Sequence, residues 1–391
     1  MYPTLSYLIY DITGKYFALP IYMFGLIMAL AFLITHLVFR AELKRKEAEG
    51  ILKKVEQKFW KGKPLPKQDY ATGGLVGFLL GFKLLGGILD YNLFVDNPQE
   101  YILSLNGNFF GGLLGAAISL YSTWNEDKKN RLAQPTLVTQ WVSPYQLMGN
   151  ITMVAAVAGL LGAKVFHNLE NMDDFLADPI GELLSFSGLT FYGGLICGGG
   201  AVLWYAKKNL GVKPLHMLDI GGPAMMLAYG LGRVGCHVSG DGDWGIVNNL
   251  PKPSWLSFMP DWFWAYKYPH NVNNVGVPLP PGCPGKHCFV LPEAVFPTPL
   301  YESIAAIIIF LFLWSIRKHI KPAGMIFGIY MILNGVERFM IELIRVNNKY
   351  TFAGISFTQA ELIAVIMILG GFVLCVYTFR RHKLHAKPLS S

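Results

Sequence analysis

The sequence feature that most constrains the fold is an apolar run, rich in glycine and alanine, that ends in charged residues. Residues 218–245 read LDIGGPAMMLAYGLGRVGCHVSGDGDWG. The run is long enough to enter a lipid bilayer, and Arg233 lies near its far end. A guanidinium group is costly in hydrocarbon and is normally retained there for a partner or a ligand. Arg233 therefore indicates a functional site within a membrane protein.

The composition agrees with a membrane protein. Hydrophobic residues make up 53% of the 391 residues and charged residues only 15%, whereas about a quarter of the residues in a soluble protein are charged. The formal net charge is +8, but the lysines and arginines form short clusters between apolar runs, as membrane topology requires. This distribution argues against a nucleic-acid partner.

Apolar segments of membrane-spanning length recur along the whole chain. Their length and hydropathy predict an all-α polytopic membrane protein with about nine transmembrane helices. The predicted spans are residues 17–39, 70–94, 109–124, 147–166, 189–206, 218–238, 299–316, 323–344 and 359–379.

The connecting segments predict the orientation of these helices. Residues 40–67 carry the densest run of lysine and arginine, which places them in the cytoplasm and the N-terminus outside. We expect this segment to be a solvated cytoplasmic helix. Basic and acidic or neutral connectors then alternate, so the C-terminus is expected inside and residues 246–298 outside, as a periplasmic head. The N-terminus has no basic region or small-residue cleavage site, so we expect no cleaved signal peptide.

Five cysteines are present. Cys197, Cys236 and Cys375 lie in apolar runs and are interpreted as small buried hydrophobic residues. Cys283 and Cys288 lie in a long polar loop and can form a disulfide bond if that loop is extracytoplasmic. A metal site in this loop would need more ligands than His287 supplies.

An internal repeat is visible in the first half of the chain. Residues 81–115 and 162–198 share, in order and at nearly constant spacing, Gly-x-Lys, then Asn-Pro or Asp-Pro, then an aromatic residue followed by Gly-Gly-Leu. We interpret this as a duplicated helix-loop-helix hairpin. The alternative is chance similarity, because small residues recur in all closely packed membrane helices.

Four ordered motifs resemble the bacterial prolipoprotein diacylglyceryl transferase family. They are GLTFYGGLICGG, GRVGCHVSGDGDWG with the LDIGGPAMML before it, FPTPLYES, and GIYMILNGVERFMIELIR. The resemblance covers roughly residues 17–40 and 147–379. It divides the chain into a first transmembrane helix (1–40), an added segment with the first hairpin (41–146), a transferase-like core (147–379) containing the head loop (246–298), and a cytoplasmic tail (380–391).

The resemblance implies an enzyme of the bacterial inner membrane. Members of the family move the diacylglyceryl group of phosphatidylglycerol onto the lipobox cysteine thiol of a prolipoprotein, and glycerol phosphate leaves. The implied partners are phosphatidylglycerol, prolipoprotein signal peptides and membrane lipid, and no cofactor or metal is expected. The reaction needs a thiolate and cationic groups that hold the phosphate, for which paired arginines are well suited.

The resemblance also implies site residues. Arg233 matches the signature arginine of the family and Arg338 its second essential arginine. Glu342 and Arg345 match the acidic and basic neighbours of Arg338. Because Arg338 and Glu342 are four residues apart, they share a helix face and are expected to pair.

The remaining expected site residues include several departures from the family pattern. Asp241 stands where the family has Glu, and Gly245 matches a family glycine after a one-residue insertion. Cys236 replaces the usual Asn, and Tyr192 replaces the usual His before Gly193 and Gly194. These residues, together with Lys164, complete the expected site. Tyr301 and Glu302 match a Leu-Tyr-Glu motif, for which a helix start and interfacial anchor is an equally good interpretation.

The departures leave two candidates for the general base. Tyr192 could act if neighbouring arginines lowered its pKa, whereas His237, four residues after Arg233, could instead be a histidine with satisfied hydrogen bonds at a helix end. Two other functions stay open. One is a related phospholipid-modifying enzyme with another acceptor, and the other is a transporter in which the arginines line an anion pathway.

Overall fold

The computed structural model describes residues 1–185, 190–347, 349–352 and 355–386. Its chain forms two compact units. One, here called the core unit, contains residues 1–3, 23–55 and 142–391. The other, here called the hairpin unit, contains residues 4–22 and 56–141.

Helices dominate both units. In chain order they are α1 (Leu5–Thr13), α2 (Met23–Ala48), α3 (Lys67–Leu89), α4 (Tyr91–Asp96), α5 (Pro98–Leu103), α6 (Phe109–Asn130), α7 (Met148–Glu170), α8 (Met172–Ala177), α9 (Pro179–Leu184), α10 (Phe191–Asn209), α11 (Pro214–Ser239), α12 (Thr298–Ile316), α13 (Met325–Glu342) and α14 (Gln359–Ala386). Short 3₁₀ turns occupy Pro144–Leu147, Ser254–Leu256 and Asp261–Phe263.

Short strands make the all-α prediction wrong in detail. They form three two-stranded sheets, β1–β2, β3–β4 and β5–β6. The strands are β1 (Val55–Lys61), β2 (Thr136–Val142), β3 (Val277–Pro278), β4 (Phe289–Val290), β5 (Lys349–Phe352) and β6 (Ile355–Thr358).

The helices fit a polytopic membrane protein. Among the residues that the structure describes, five helices are long and apolar enough to cross a membrane, namely Met23–Ala48, Lys67–Leu89, Pro144–Glu170, Thr298–Ile316 and Gln359–Leu384. Each of the nine predicted spans falls largely on a helix of 18 or more residues in the described part of the chain. The number of spans and their orientation remain predictions.

Helix α11 is the centre of the core unit, where it packs against α2, α10, α12 and α13. Pro214 lies at its first position, where a missing N–H costs nothing. Gly240 ends it in the left-handed conformation with φ 64°. On the face toward α12, a side chain at Gly230 would place its Cβ 3.0 Å from the Cβ of Ala306. Small residues therefore allow the close approach of the helices that carry the charged site.

The start of α13 is fixed by a buried carboxylate on α11. Asp219 is only 4% exposed and accepts hydrogen bonds from the backbone N–H groups of Gly324 (2.7 Å) and Phe327 (3.0 Å). The first N–H groups of a helix have no intrahelical partner, and an anion there is stabilising. Asp219 thereby positions α13 along α11.

The expectation of a solvated helix between residues 40 and 67 is only partly met. Helix α2 continues to Ala48, but Glu42 and Lys46 are buried, and the Glu42 carboxylate pairs with Arg45 and Arg317. Beyond the helix the chain enters strand β1, in which the aromatic and β-branched residues of VEQKFWK favour extended backbone. The many lysines and arginines of the segment led to the prediction of a single solvated helix, and the change from helix to strand was not predicted.

The two copies of the sequence repeat have the same order of elements. In the hairpin unit, α3 and α6 enclose the six-residue helices α4 and α5, and in the core unit α7 and α10 enclose α8 and α9. Asn97 (φ −144°, ψ 83°) and Asp178 (φ −143°, ψ 79°) occupy the same backbone conformation. Each side chain accepts a hydrogen bond from the N–H three residues later. This agreement is the geometry expected of a duplicated hairpin.

Glycines set the spacing of the second hairpin. A Cβ on Gly162 would lie 2.5 Å from the carbonyl oxygen of Gly193, and a Cβ on Gly193 would lie 2.5 Å from that of Gly162. A Cβ on Gly194 would lie 3.3 Å from the carbonyl oxygen of Gly159. The backbones of α7 and α10 are therefore in contact, as in other membrane helix pairs with small residues.

The predicted head forms a small folded region. Tyr268 is fully buried and packs with Leu291, Val295, Trp244 and Tyr266. The buried side chain of Asn271 donates to the carbonyl of Val275 (2.9 Å) and accepts from its N–H (2.8 Å). These bonds hold a loop with little regular secondary structure.

The cysteine predictions are largely confirmed. Cys283 and Cys288 form a disulfide bond. Cys236 is buried, whereas Cys197 and Cys375 are half-buried rather than fully buried.

We expect Gly162→Ala to lower the stability of the core unit by about 1–3 kcal/mol, because the added methyl group overpacks the contact between α7 and α10. The apparent Tm in detergent micelles should fall. Gly199→Ala on α10 is the matched control, because a Cβ there meets no atom within 4 Å, and alanine is the better helix former. Equal Tm values for both variants would contradict the close-packed interface.

Acidification should destabilise the head. Burial, with a contribution from Lys286, lowers the pKa of His287 to about 4, below the usual value of about 6.5. The unfolded chain therefore binds a proton that the folded head excludes, so stability is lost as pH falls from about 6.5 toward 4. His287→Asn should reduce the drop in Tm between pH 7.5 and 5, whereas the exposed control His319→Asn should leave it unchanged. An unaltered drop in His287→Asn would refute this assignment.

Candidate active site

Three arginines converge on one buried carboxylate. Glu302 is the fifth residue of α12, just after its first turn, and its side chain is 0% exposed. Its Oε2 is 3.0 Å from Nε of Arg233, and its Oε1 is 2.9 Å from Nη1 of Arg338 and 3.1 Å from Nη1 of Arg345. Arg233 belongs to α11, Arg338 to α13, and Arg345 to the segment after α13. The site is therefore built where three parts of the core unit meet.

The expected pair on α13 is present. Nη2 of Arg338 lies 2.8 Å from Oε2 of Glu342, as the spacing of four residues predicted. Asn347 donates a hydrogen bond to the other oxygen of Glu342. The Arg338 guanidinium is thus held by two carboxylates, one on its own helix and one on α12.

A second carboxylate bridges two of the arginines. Asp243 pairs with both Arg233 and Arg345. It lies in the glycine-rich turn after α11, in which Gly240 and Gly242 have positive φ values of 64° and 100°. The hydroxyl of Thr298 donates to the backbone carbonyl of Asp243 (2.7 Å), which ties this turn to the start of α12.

Gly245 allows the turn to reach the arginines. Its N–H donates to the carbonyl of Phe296 (2.8 Å), and it forms an antiparallel bridge with Arg345. A Cβ at this position would collide with the carbonyl oxygen of Ile344 and lie 2.9 Å from Cγ2 of Thr298. Only glycine fits this close approach of backbones, and the approach brings Asp243 against Arg345.

The polar residues before Asp243 form the rim of the cluster. The Sγ of Cys236 is 3.8 Å from Nη1 of Arg233, and Asp241 accepts the N–H of Asp243 (3.3 Å). Burial raises the pKa of Asp241, and a hydrogen bond from Cys236 opposes that rise. The Sγ atom of Cys236 and carboxylate oxygens of Asp241 and Asp243 lie within 4.8 Å of one another, close enough to hold a metal ion. Because the Asp243 carboxylate is already paired with two guanidinium groups, we do not assign a metal ion to these three residues.

The cluster is close to electrically balanced and largely withdrawn from water. The guanidiniums of Arg233, Arg338 and Arg345 are 17%, 20% and 11% exposed, and face three carboxylates. Asp243, at 33% exposed, is the most accessible of these carboxylates. Paired guanidiniums fixed by ion pairs can bind the oxygens of a phosphate in bidentate fashion. The arrangement is therefore that of a preorganised anion site.

Comparison with known proteins identifies the family. The family model for prolipoprotein diacylglyceryl transferase matches residues 129–377, which is more than half of the chain. This chain belongs to the prolipoprotein diacylglyceryl transferase family. The sequence-based recognition of that family is confirmed.

Relatives named phosphatidylglycerol–prolipoprotein diacylglyceryl transferase support the same placement. The protein of Pseudomonas aeruginosa is 27% identical over 236 residues, covering 59% of this chain and 75% of its own length. That of Vibrio vulnificus is 28% identical over 266 residues, covering 67% and 84%. That of Vibrio cholerae is 26% identical over 274 residues, covering 69% and 87%.

Several residues expected from the transferase family lie outside the arginine cluster. Tyr192, at the start of α10, has ring contact with Phe191 and, within the described part of the chain, no hydrogen bond to Arg233 or Arg338. Gly193 and Gly194 pack α10 against α7. Lys164 is buried in α7, with Glu182 at 3.9 Å. These four residues belong to the second hairpin.

The other candidate base, His237, lies beside the head. Its Nδ1 is 3.1 Å from the hydroxyl of Tyr268, and its ring lies among the rings of Tyr268, Tyr266 and Trp262. The helix-end histidine with satisfied bonds, the alternative considered from sequence, describes this environment. His237 joins the end of α11 to the head.

Two residues of the arginine cluster were missed from sequence. The Leu-Tyr-Glu motif that contains Glu302 left a helix start and a catalytic role open, and the expected site included Asp241 but not Asp243. The signal for Glu302 was a carboxylate near the start of an apolar helix, where it needs a cationic partner. For Asp243 the only signal was a turn with two acidic residues, Asp241 and Asp243.

We expect Glu302→Gln to destabilise the protein by about 3–5 kcal/mol, because it leaves buried guanidinium groups with less compensating charge. Thermal unfolding in detergent should show a large drop in Tm. The matched control is Glu293→Gln, at an exposed position of the head, which should change stability by no more than about 0.5 kcal/mol. A Glu302→Gln protein as stable as the control would show that the carboxylate does not hold the arginines.

Proposed function

We propose that this protein transfers the diacylglyceryl group of phosphatidylglycerol to the thiol of a lipobox cysteine in prolipoproteins. The observation that carries the proposal is the convergence of Arg233, Arg338 and Arg345 on Glu302 in a chain that belongs to the transferase family. The names of its relatives give both the lipid and the protein substrate.

The arginines suit the phosphate of the lipid headgroup. We infer that the phosphate replaces the partly exposed Asp243 carboxylate at Arg233 and Arg345, while the fully buried Glu302 keeps the guanidiniums in position. As the C–O bond to the diacylglyceryl group breaks, charge grows on the departing glycerol phosphate. Guanidiniums fixed in advance stabilise that charge without reorganising.

The proposed reaction fits the predicted membrane placement. In the nine-span arrangement with the N-terminus outside, the end of α11 and the head face the periplasm of the inner membrane. The head exposes Trp255 (71%), Phe258 (75%) and Trp262 (46%), and aromatic side chains favour the membrane interface. We propose that this surface lies against the outer leaflet, where phosphatidylglycerol and the signal peptides of prolipoproteins are reached.

Ion pairing weakens the transporter alternative. An anion pathway would leave guanidinium groups facing an open passage. Here each of the three arginines contacts Glu302 and at least one more of Asp243 and Glu342. This arrangement favours a binding site that holds one anion over a route that passes many.

Expression in a bacterium depleted of its own transferase tests the function. The wild-type chain should restore lipid modification of prolipoproteins, followed by mass spectrometry of a reporter lipoprotein. Arg233→Lys and Arg338→Lys should reduce transfer by about 10²-fold or more, because lysine lacks the planar fork. Arg317→Lys, whose guanidinium pairs with Glu42, is the control and should retain transfer. Unmodified reporter in the presence of folded wild-type protein would refute the proposal.

A further inference from the structure

One buried carboxyl group beside the arginine cluster has no assigned partner. Glu337 directly precedes Arg338 on α13 and is 6% exposed. Neither of its carboxylate oxygens has a hydrogen-bond partner among the described residues. Buried polar groups almost always have such partners, and a native exception calls for an explanation. The side chain is therefore retained at a cost in stability.

The surroundings of Glu337 are those of the candidate active site. It interacts electrostatically with Glu302 on α12, Arg233 on α11, and Arg338 and Arg345. On α11, Tyr229 also interacts with Glu337, and its ring lies 5.3 Å from the guanidinium carbon of Arg233. The buried Tyr229 hydroxyl likewise lacks a hydrogen-bond partner within the described ranges.

Tyr330 on α13 and Glu361 on α14 are further titratable groups on the helices packed together here. Tyr330, on the same helix, interacts with Glu337, and its hydroxyl accepts a hydrogen bond from Asn334 (3.0 Å). On α14, Glu361 accepts the N–H of Thr358 (2.8 Å). Both are engaged by hydrogen bonds of their own, whereas the Tyr229 hydroxyl and the Glu337 carboxylate have no hydrogen-bond partner among the described residues.

Charge balance distinguishes Glu337 from the other carboxyl groups. The three guanidiniums are already matched by Glu302, Asp243 and Glu342, each held in at least one ion pair. Two further carboxyl groups, Asp241 and Glu337, take part in none of these pairs. Asp241 accepts the N–H of Asp243, whereas neither oxygen of Glu337 has a hydrogen-bond partner among the described residues. Burial penalises its charged form and the guanidiniums favour it. It can therefore gain or lose a proton without breaking an ion pair.

We propose that Glu337 accepts the proton of the lipobox thiol during transfer, directly or through the Tyr229 hydroxyl. This inference rests on the proposed function. The S–H proton moves to the carboxylate, and the resulting thiolate forms an S–C bond with the diacylglyceryl carbon. The C–O bond to phosphate breaks and its electron pair leaves on glycerol phosphate. The proton of Glu337 then passes to the departing phosphate or to water, which restores the carboxylate.

The role suits the position better than either base considered from sequence. Tyr192 lies in the second hairpin, with ring contact to Phe191, and His237 is bonded to Tyr268 in the aromatic region of the head. Glu337 is adjacent in sequence to an arginine of the cluster. Its location gives the site a proton acceptor beside the groups that hold the phosphate.

The test uses full-length protein in nanodiscs containing phosphatidylglycerol, with a lipobox peptide as acceptor. Glu337→Gln keeps the shape of the side chain and removes its basicity. It should lower kcat by about 10²–10⁴-fold and abolish the acidic limb of the pH profile. A peptide with selenocysteine in place of cysteine ionises without a base, so it should restore most of the lost rate in this variant. Glu361→Gln, the control, should keep both the rate and the profile.

The outcomes separate this inference from the proposed function. If the wild-type protein transfers no lipid to the peptide, the proposed function fails. If it does, and Glu337→Gln retains the wild-type rate and pH profile, the role of Glu337 is overturned and the function stands. A low rate that selenocysteine does not rescue would also overturn the role, as would loss of the acidic limb in Tyr192→Phe instead. Should Glu337→Gln fail to fold, Glu337→Asp must shift the acidic limb, and an unshifted limb contradicts the inference.

Discussion

The ion pairs around Glu302 are the interaction on which the site depends. Three guanidinium groups in a largely buried position would repel one another, and a buried charge without a partner is expensive. A single fully buried carboxylate bound to all three offsets that repulsion and fixes their geometry. Because Glu302, Arg233 and Arg338 come from different helices, the same contacts also hold α11, α12 and α13 together. The same atoms therefore stabilise the helix packing and form the proposed anion site.

The rest of the core unit positions these charges. Asp219 fixes the start of α13, and the glycine contacts of α11 let the neighbouring helices approach closely. Gly245 brings the turn after α11 against the segment that carries Arg345. The turn supplies Asp243, the most exposed carboxylate of the cluster. Glu302 is fully buried and Asp243 is partly exposed. This arrangement suits a site in which a ligand anion replaces the Asp243 carboxylate while Glu302 stays in place.

Sequence reasoning predicted those parts of the protein that local patterns determine. Apolar periods placed the long helices, and the spacing of four residues predicted the Arg338–Glu342 pair. Glu302 could not be placed in the same way, because its partners are 36 to 69 residues away and meet it only through helix packing. The choice between Asp241 and Asp243 depended on two left-handed glycines that set the direction of the turn. Strand β1 was not predicted because its lysines made the segment resemble a solvated helix. That Glu337 has no hydrogen-bond partner among the described residues can be known only from the positions of all its neighbours.

The most direct test of the account is the location of the lipid headgroup in an experimental structure of the protein embedded in phosphatidylglycerol nanodiscs. The account predicts phosphate oxygens at about 3 Å from the guanidinium groups of at least two of Arg233, Arg338 and Arg345, with Asp243 displaced and Glu302 in place. A headgroup bound elsewhere, with Asp243 still paired to Arg233 and Arg345, would contradict the claim that this cluster is the phosphate site.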